Sequence, residues 1–137
     1  MAASGAVSGY GITFKKASTV IAEVVRISGV GINRETIEAT HLSSDNEWKE
    51  FIFGLLEGTD VSIELNFLPT NATQKAIITD IVAGTSATYT TTLVDTSTWA
   101  ATMLPFSFSL GDIDAGGKLS ATAQFKITGA VTYTASA

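Results

Sequence analysis

The alternation of apolar and polar residues is clearest in the middle of the chain. From position 61 to position 67 the order Val-Ser-Ile-Glu-Leu-Asn-Phe places apolar and polar side chains on opposite faces, which predicts a strand. Pro69 ends this segment. Asn71 and Gln74 then have the spacing of a helix N-terminal cap, an apolar stripe follows at helical spacing, and Gly84 supplies a left-handed stop. These signals predict one helix over residues 71–83.

Segments rich in β-branched and apolar residues surround the predicted helix. They predict strands at 19–27, 36–42, 86–94, 98–110 and 119–128, with a short edge strand at 131–133. The order is strands, one helix, then strands again. It predicts a mainly-β fold, a β-sandwich or barrel with one short α-helix on its flank.

Two segments show neither the alternation of a strand nor the spacing of a helix. Residues 1–17 carry several glycines among small residues, so we expect a flexible N-terminal arm followed by a single domain over 18–137. Residues 43–58 mix charged groups with large apolar ones such as Trp48 and Phe51, and they are predicted to form a long loop. Because so many aromatic groups are costly to leave in water, this loop is expected to lie against a neighbouring protein.

The amino-acid composition and charge of the chain exclude several classes of function. Charged residues make up 15% of the 137-residue chain, below the usual share of about 25%, so much of the surface is expected to meet protein. Thirteen acidic and eight basic residues give a net charge of -5 without a basic cluster, which argues against a nucleic-acid grip. The chain has no cysteine for disulfides or thiolate metal sites. We expect neither a signal peptide nor a membrane-spanning segment.

Residues with catalytic potential do not form a recognisable motif. His41 is the single histidine, and Ser43 and Asp45 nearby are not arranged as a nucleophile motif, so a polar residue at the end of a strand is the expected role. Asp112 and Asp114 lie in a glycine-rich turn that lacks the ligand series of a calcium loop. We therefore predict no catalytic residue, no cofactor and no metal site.

Three blocks of sequence resemble a known family. They are SGVGINRETIEATHLSS, EWKEFIFGLLEGTDVSIELNF followed by Pro69, and GGKLSATAQFKITG, and together they span about residues 28–129. In order and spacing they resemble the tail tube (major tail) protein of long-tailed, non-contractile bacteriophages. The chain departs from the family pattern at Phe53, where proline is usual, and at Lys49, where arginine is usual.

The resemblance implies a structural subunit that catalyses nothing. Six copies would close into a ring, their strands pooling into a continuous inner barrel, and rings would stack into a hollow tube in the virion tail after assembly in the host bacterial cytoplasm. The implied partners are other copies of the chain, tail terminator and tail tip or baseplate proteins, and a tape measure protein in the lumen during assembly. DNA would pass through without specific binding, and no membrane binding is expected.

Two sets of residues are candidates for these contacts. The arm and the loop are expected to join subunits and rings, with Trp48 and Phe51 as anchors, through Tyr10, Phe14, Trp48, Glu50, Phe51, Phe53 and Leu55. The polar positions of two alternating strands are expected to face the lumen: Glu64, Asn66, Ser120, Thr122 and Gln124. Because these groups are acidic, amide or hydroxyl rather than basic, such a wall would not hold phosphate.

Three alternatives stay open from the sequence. The same subunit could belong to a phage-derived particle, such as a gene transfer agent or a tail-like bacteriocin, or to a secretion tube. A monomeric β-sandwich binding module could use the 43–58 loop to grip a peptide or a sugar. A hydrolase could assemble a triad in space, with His41 as its base.

Overall fold

A computed structural model describes residues 9–42 and 48–135 of the chain. Within them the chain forms nine strands and one helix. In chain order these are β1 (Thr13–Lys16), β2 (Thr19–Val20), β3 (Val24–Ser28), β4 (Ile32–Glu38), β5 (Phe51–Gly58), β6 (Val61–Asn66), α1 (Ala72–Ala83), β7 (Ala87–Thr92), β8 (Thr98–Leu110) and β9 (Ser120–Thr134).

Seven of the strands form one antiparallel sheet in the order β2-β1-β7-β8-β9-β6-β3. The sheet is strongly curled. Phe14 on β1 and Phe125 on β9 are separated by three strand spacings, about 14 Å in a flat sheet, yet their ring centroids lie 5.4 Å apart. The chain also passes from β2 at one edge to β3 at the other through Ile21–Glu23 alone, a step that at about 3.5 Å per residue requires the two edges to lie close together.

The concave side of the curled sheet holds the core. Phe14, Tyr89 and Phe125 pack ring against ring there, with centroids 4.8–5.5 Å apart. Alternate residues of β6 and β9 complete the core, because side chains on a strand alternate between faces. The opposite side of the sheet therefore presents the polar residues of the same strands, and we call it the polar face.

Helix α1 packs on the concave side through Ile77 and Gln74, both fully buried. The Asn71 side chain caps its start by accepting hydrogen bonds from the backbone N–H of Thr73 (3.0 Å) and Gln74 (3.3 Å). Gly84 ends it in the left-handed conformation, with φ of 72°. The helix predicted over 71–83 is confirmed within one residue at its start.

Strands β4 and β5 form a separate two-stranded antiparallel hairpin. It leaves the body of the subunit at the turn after β3, where Gly29 adopts a φ of +84° and approaches the backbone of Asp60 too closely for any side chain. At the other end of the hairpin's base, Gly58 lies directly against the side chain of Ile127 on β9. The hairpin is thus held to the body through its base.

The mainly-β fold with one flanking helix is confirmed, and its sheet is a single curled layer, the barrel form of that prediction. The strands predicted at 61–67, 86–94 and 98–110 are confirmed within a few residues at their ends. The prediction of one continuous strand at 19–27 is wrong. The chain leaves one edge of the sheet at Val20 and joins the other edge at Val24. The strand predicted at 36–42 begins and ends earlier, at Ile32 and Glu38.

Two aperiodic segments were assigned incorrectly. Residues Thr13–Lys16 of the predicted arm form β1 inside the sheet, and Phe51–Gly58 of the predicted loop form β5. Residues 1–8 of the arm and 43–47 of the loop lie outside the described residues. The segments predicted at 119–128 and 131–133 form one strand, β9, because Gly129 at φ +84° lets the chain continue along β8 across an irregularity in the pairing.

Candidate assembly surfaces

The β4–β5 hairpin exposes apolar side chains on both of its faces. Phe51, Ile52 and Phe53 are consecutive, so they point alternately to opposite faces, and each is more than half exposed. The Arg34 guanidinium lies 5.2 Å from the centroid of the Phe53 ring and covers part of it. We call the following set the hairpin surface: Ile32, Ile37, Phe51, Ile52, Phe53, Leu55 and Leu56.

Such a surface is not stable in water by itself. A two-stranded hairpin is marginal without a partner for its apolar side, and here every residue of β4 is exposed. Phe53 is 73% exposed and Leu55 is 80% exposed. Contiguous exposed apolar residues of this kind mark protein interaction sites, so the hairpin surface is a candidate contact surface.

The far end of the hairpin is joined by polar contacts. Thr40 accepts a hydrogen bond from the Glu50 backbone N–H (2.9 Å), and the backbone N–H of Ala39 donates to the Glu50 carbonyl (2.8 Å). The His41 Nε2 lies 3.1 Å from the Glu50 Oε2. Trp48, two residues before Glu50 in the chain, is 73% exposed. Glu50 therefore joins the two strands at the far end of the hairpin.

The predicted lumen residues come together on the polar face. Strand β6 pairs with β9 so that Glu64 is opposite Thr122 and Asn66 is opposite Ser120, and Gln124 lies one pair further along. The face continues across β8 and β7 with hydroxyl side chains: Thr88, Thr90, Thr92, Thr98, Thr102, Ser107 and Ser109. The sequence prediction did not include the residues of β7 and β8, although their threonine and serine spacing signals an exposed strand face.

The polar face carries charges of both signs. The Arg26 guanidinium lies 4.0 Å from the Glu64 carboxylate, and the Lys126 ammonium lies 3.8 Å from Asp60. The sequence alone did not indicate a basic neighbour for Glu64, because Arg26 is remote in sequence and adjacent only through the β3–β6 pairing. The Glu23 carboxylate accepts a hydrogen bond from the Asn66 side-chain amide (3.1 Å), and Lys15 is opposite Thr90.

Comparisons with known proteins agree with this architecture. The model of the lambda phage tail tube protein family, TTP, matches residues 4–133, almost the whole chain. The chain belongs to the lambda phage tail tube protein family. It is therefore a subunit of a phage tail tube or of a phage-tail-like tube, a structural component of a virion or virion-like tail. A search of curated protein sequences found no match.

Solved tube assemblies share the fold of this tail tube protein. A chain from the tail of an empty gene transfer agent particle with C6 symmetry superposes with a TM-score of 0.81 at 19% identity, covering 95% of this chain and 100% of that one. A chain from the PVC sheath/tube terminator of an extracellular contractile injection system gives 0.80 at 16%, covering 98% and 100%. A chain from the anti-feeding prophage baseplate gives 0.76 at 18%, covering 97% of both.

Most of the predicted contact residues of the tail tube protein are exposed, and one of them is buried. Trp48, Glu50, Phe51, Phe53 and Leu55 all lie on the hairpin and its far end. Tyr10 is 90% exposed, just before β1. Phe14 is a correction: it is fully buried and its ring stacks on Tyr89, so it belongs to the subunit core and is not available to a neighbour.

A buried polar cluster lies under α1. The Asp80 carboxylate forms an ion pair with Lys16 and lies next to Tyr89, whose hydroxyl is enclosed in the core. Burial, and secondarily the negative charge of Asp80, raise the pKa of Tyr89 to about 12. The cluster joins β1, β7 and α1 and so ties the helix to the sheet of the tail tube protein.

The tail tube protein shows no metal-binding group of three or more His, Asp or Glu side chains within 9–42 and 48–135. In those same ranges no helix is long and apolar enough to cross a membrane. His41, the base of the hydrolase alternative, is beside Glu50 at the end of the hairpin. Ser43 and Asp45 lie outside the described residues.

Proposed function

We propose that six copies of this chain close into a ring and that rings stack into a tube, with the polar face lining the lumen. The C6 symmetry of the gene transfer agent tail, whose chain has the same fold, supports the six-fold ring. The polar surface of β6 and β9, in which hydroxyl and amide groups surround Glu64 and Lys126, supports the assignment of the lumen. DNA would pass along this wall without specific binding, since it lacks the basic cluster that phosphate binding needs.

The observation that carries the proposal is the exposed apolar hairpin surface. In a tube it is covered by adjacent subunits of the same ring or of the next ring, which removes both of its faces from water. Trp48 and Phe51 remain the proposed anchors of this contact. The contact predicted for the arm now rests on residues 1–12, because β1 is part of the sheet.

The tube also requires proteins at its ends and in its lumen. Chains of the same fold come from a baseplate and from a tube terminator. On this basis we assign terminator and tip or baseplate proteins as partners of the terminal rings. A tape measure protein would occupy the lumen during assembly. Membrane contact is assigned to the tip proteins and not to this subunit.

The test is assembly of the purified, concentrated protein, followed by sedimentation and negative-stain electron microscopy. We expect rings or hollow tubes with the native sequence. The double variant Phe53→Ser with Leu55→Ser removes the two most exposed apolar side chains of β5 and is expected to remain a folded monomer. Val82→Ser, at an equally exposed apolar position on α1, is the matched control and should assemble normally.

Each outcome is informative. A native protein that stays monomeric even when tail-tip extract is added would contradict the tube and favour the monomeric binding module. Normal tubes from the hairpin double variant would retain the tube and remove the hairpin from its contacts. Circular dichroism of the double variant verifies that any loss of assembly is not a loss of folding.

A further inference from the structure

A lysine and an aspartate meet under α1 on the core side of the sheet. Lys16 on β1 is paired with the fully buried Tyr89 on β7, and side chains of directly paired residues point to the same face. There the Lys16 ammonium forms an ion pair with the carboxylate of Asp80 on α1, whose side chain is only 11% exposed. Lysine is rarely found on the inner face of a strand, so this position suggests a specific role.

The arrangement places an amine and a carboxyl group in reach of each other. The Lys16 Nζ is in contact with the Asp80 Oδ2, which leaves the carboxyl carbon close to the distance of about 3–3.5 Å from which a nucleophile attacks. Regular elements, β1 and α1, carry the two side chains. Two groups held in this way react as if either one were present at very high concentration.

The ion pair can become a neutral pair without an outside base. The Asp80 Oδ2 and the Tyr89 hydroxyl are both enclosed, and the Phe14 ring stacks on the Tyr89 ring. Because separate charges are costly away from water, the proton can pass from the ammonium to the carboxylate within the pair. A neutral amine then faces a neutral carboxylic acid, which is the pair from which an amide forms.

Tyr89 supplies a third group. Its hydroxyl is buried next to Asp80, and its raised pKa of about 12 keeps it a proton donor at physiological pH. A donor at this place can stabilise the negative oxygen that forms when an amine attacks the carboxyl carbon. A groove of about 330 Å³, lined by Lys16 and by Ala76 one helical turn before Asp80, gives a released water molecule a way out.

We propose that Lys16 and Asp80 join through an amide bond, which covalently staples α1 to β1. The Lys16 Nζ attacks the Asp80 Cγ and forms the C–N bond, and the bond from Cγ to one carboxyl oxygen breaks. That oxygen leaves as one water molecule with two protons from the lysine ammonium, so no co-reactant is needed. The charge of Asp80 is lost in the product, whereas burial, the larger cause of the raised Tyr89 pKa, remains.

A covalent staple suits a component of a virion tail. The chain contains no cysteine, so it cannot form the disulfides that stabilise many proteins outside the cell. An amide between β1 and α1 would close a long loop of the chain and restrict the unfolded state, as a disulfide does. It would also keep the helix on the core when the rest of the subunit is under load.

The intact mass of the purified subunit tests the bond. We expect the native chain to be lighter than its sequence by the mass of one water molecule. Lys16→Arg keeps a positive charge beside Asp80 but has no reactive amine, so this matched control should have its full sequence mass. Asp80→Asn should reach the same final mass as the linked native chain, because an asparagine loses ammonia where an aspartate loses water.

A tryptic digest locates the bond. Trypsin does not cleave after a lysine whose amine is acylated, so residues 16–26 should remain one peptide and be recovered attached to residues 76–118. The linked fraction should rise more slowly after synthesis in Tyr89→Phe than in Tyr133→Phe, by about tenfold or more. Tyr133 is the control because it is half-exposed and packs on Trp99 instead.

Three results would overturn the proposal or a part of it. A native chain that keeps its full sequence mass after prolonged incubation would show that Lys16 and Asp80 remain an ion pair. A loss of water that persists in Lys16→Arg would place the dehydration elsewhere in the chain. Equal rates in the two tyrosine variants would remove Tyr89 from the reaction. All three are measured on the free subunit, so they stand apart from any failure to form tubes.

Discussion

The best-connected single residue is Gln74, which has no exposed surface. Its Oε1 accepts a hydrogen bond from the Leu68 backbone N–H (2.8 Å), and its Nε2 donates to the carbonyls of Ala22 (3.0 Å) and Asn66 (2.9 Å). These groups belong to the loop before α1, the end of β6 and the crossing between the sheet edges. One amide thus holds three parts of the chain where the curled sheet comes together.

Replacing Gln74 with leucine is expected to lower the free energy of unfolding by about 3 kcal/mol or more. The change keeps the volume but leaves three buried backbone groups without partners, each costing about 1–3 kcal/mol. Urea unfolding of the dilute subunit measures the loss. Lys75→Leu, at the exposed next position, should change the free energy by less than about 0.5 kcal/mol. Equal effects of the two substitutions would contradict this role of Gln74.

The Tyr89 hydroxyl is expected to make the folded subunit less stable at alkaline pH. Its pKa is raised from 10.0 to about 12 by burial and by Asp80, so folding favours the protonated phenol. The resulting stability is fully present below pH 10 and is lost as the pH rises towards 12, by about 2–3 kcal/mol in total. Urea unfolding of Tyr89→Phe should therefore show a smaller loss than the native sequence between these pH values.

The matched control for Tyr89 is Tyr133→Phe, which removes a half-exposed tyrosine. Its unfolding free energy should fall with pH in parallel with that of the native protein, because Tyr89 and Asp80 are unchanged in this variant. If Tyr89→Phe followed the same curve, the raised pKa of Tyr89 would have no part in the alkaline instability.

At the scale of elements, the sequence correctly predicted those strands and the helix that pack against the core of the subunit itself. Helix α1, β6 and β8 bury one face against the core, and their periods and caps identified them from sequence. Strand β5 was predicted as a loop because both of its faces are apolar, so that it shows no alternation. A strand with apolar side chains on both faces loses the period-two signal on which strand prediction depends.

The same reasoning explains the start of the chain and the polar face. Strand β1 is short and follows glycine-rich residues, so Phe14 gave no periodic signal despite lying in the core.

Five predicted lumen residues do share one surface because β6 and β9 alternate cleanly. Their basic neighbours Arg26 and Lys126 were not recognised, since contacts between strands distant in sequence depend on the sheet order.

The turn between β3 and β4 sets the direction in which the hairpin leaves the body. Gly29→Ala is expected to destabilise this turn by about 3 kcal/mol or more, because a Cβ there would lie 2.1 Å from the Asp60 carbonyl oxygen at a φ of +84°. Gly84→Ala has a similar φ of +72° but meets no atom within 4 Å, so it should cost only about 1 kcal/mol. Thermal unfolding of the two variants compares them.

Tube assembly is a second measurement that distinguishes Gly29→Ala from Gly84→Ala. The Gly29 variant should lose tubes even at temperatures where it remains folded, since the hairpin surface would be misdirected, whereas the Gly84 variant should assemble. Tubes in normal yield from folded Gly29→Ala protein would contradict the dependence of assembly on the hairpin's direction.

At the scale of the whole molecule, charge is distributed unevenly. The chain carries a net charge of -5, yet two basic residues of the polar face lie beside acidic ones, Arg26 beside Glu64 and Lys126 beside Asp60. Exposed pairs of this kind contribute little to stability. In a lumen they would leave neither a phosphate-binding track nor a strong repulsive field, and DNA would meet mainly neutral hydroxyl and amide groups.

Adding positive charge to this face should make the tube bind DNA from the inside. With Thr122→Lys and Gln124→Lys, a six-fold ring gains twelve lysines on adjacent pairs of β9, and a short linear DNA duplex should sediment with the tubes in a salt-dependent manner. Closed circular DNA, which has no end to enter a lumen, should not. Thr79→Lys with Val82→Lys places the same charge on α1, and these tubes should bind both DNAs. Equal binding of both DNAs by the polar-face variant would place that face on the outside of the tube.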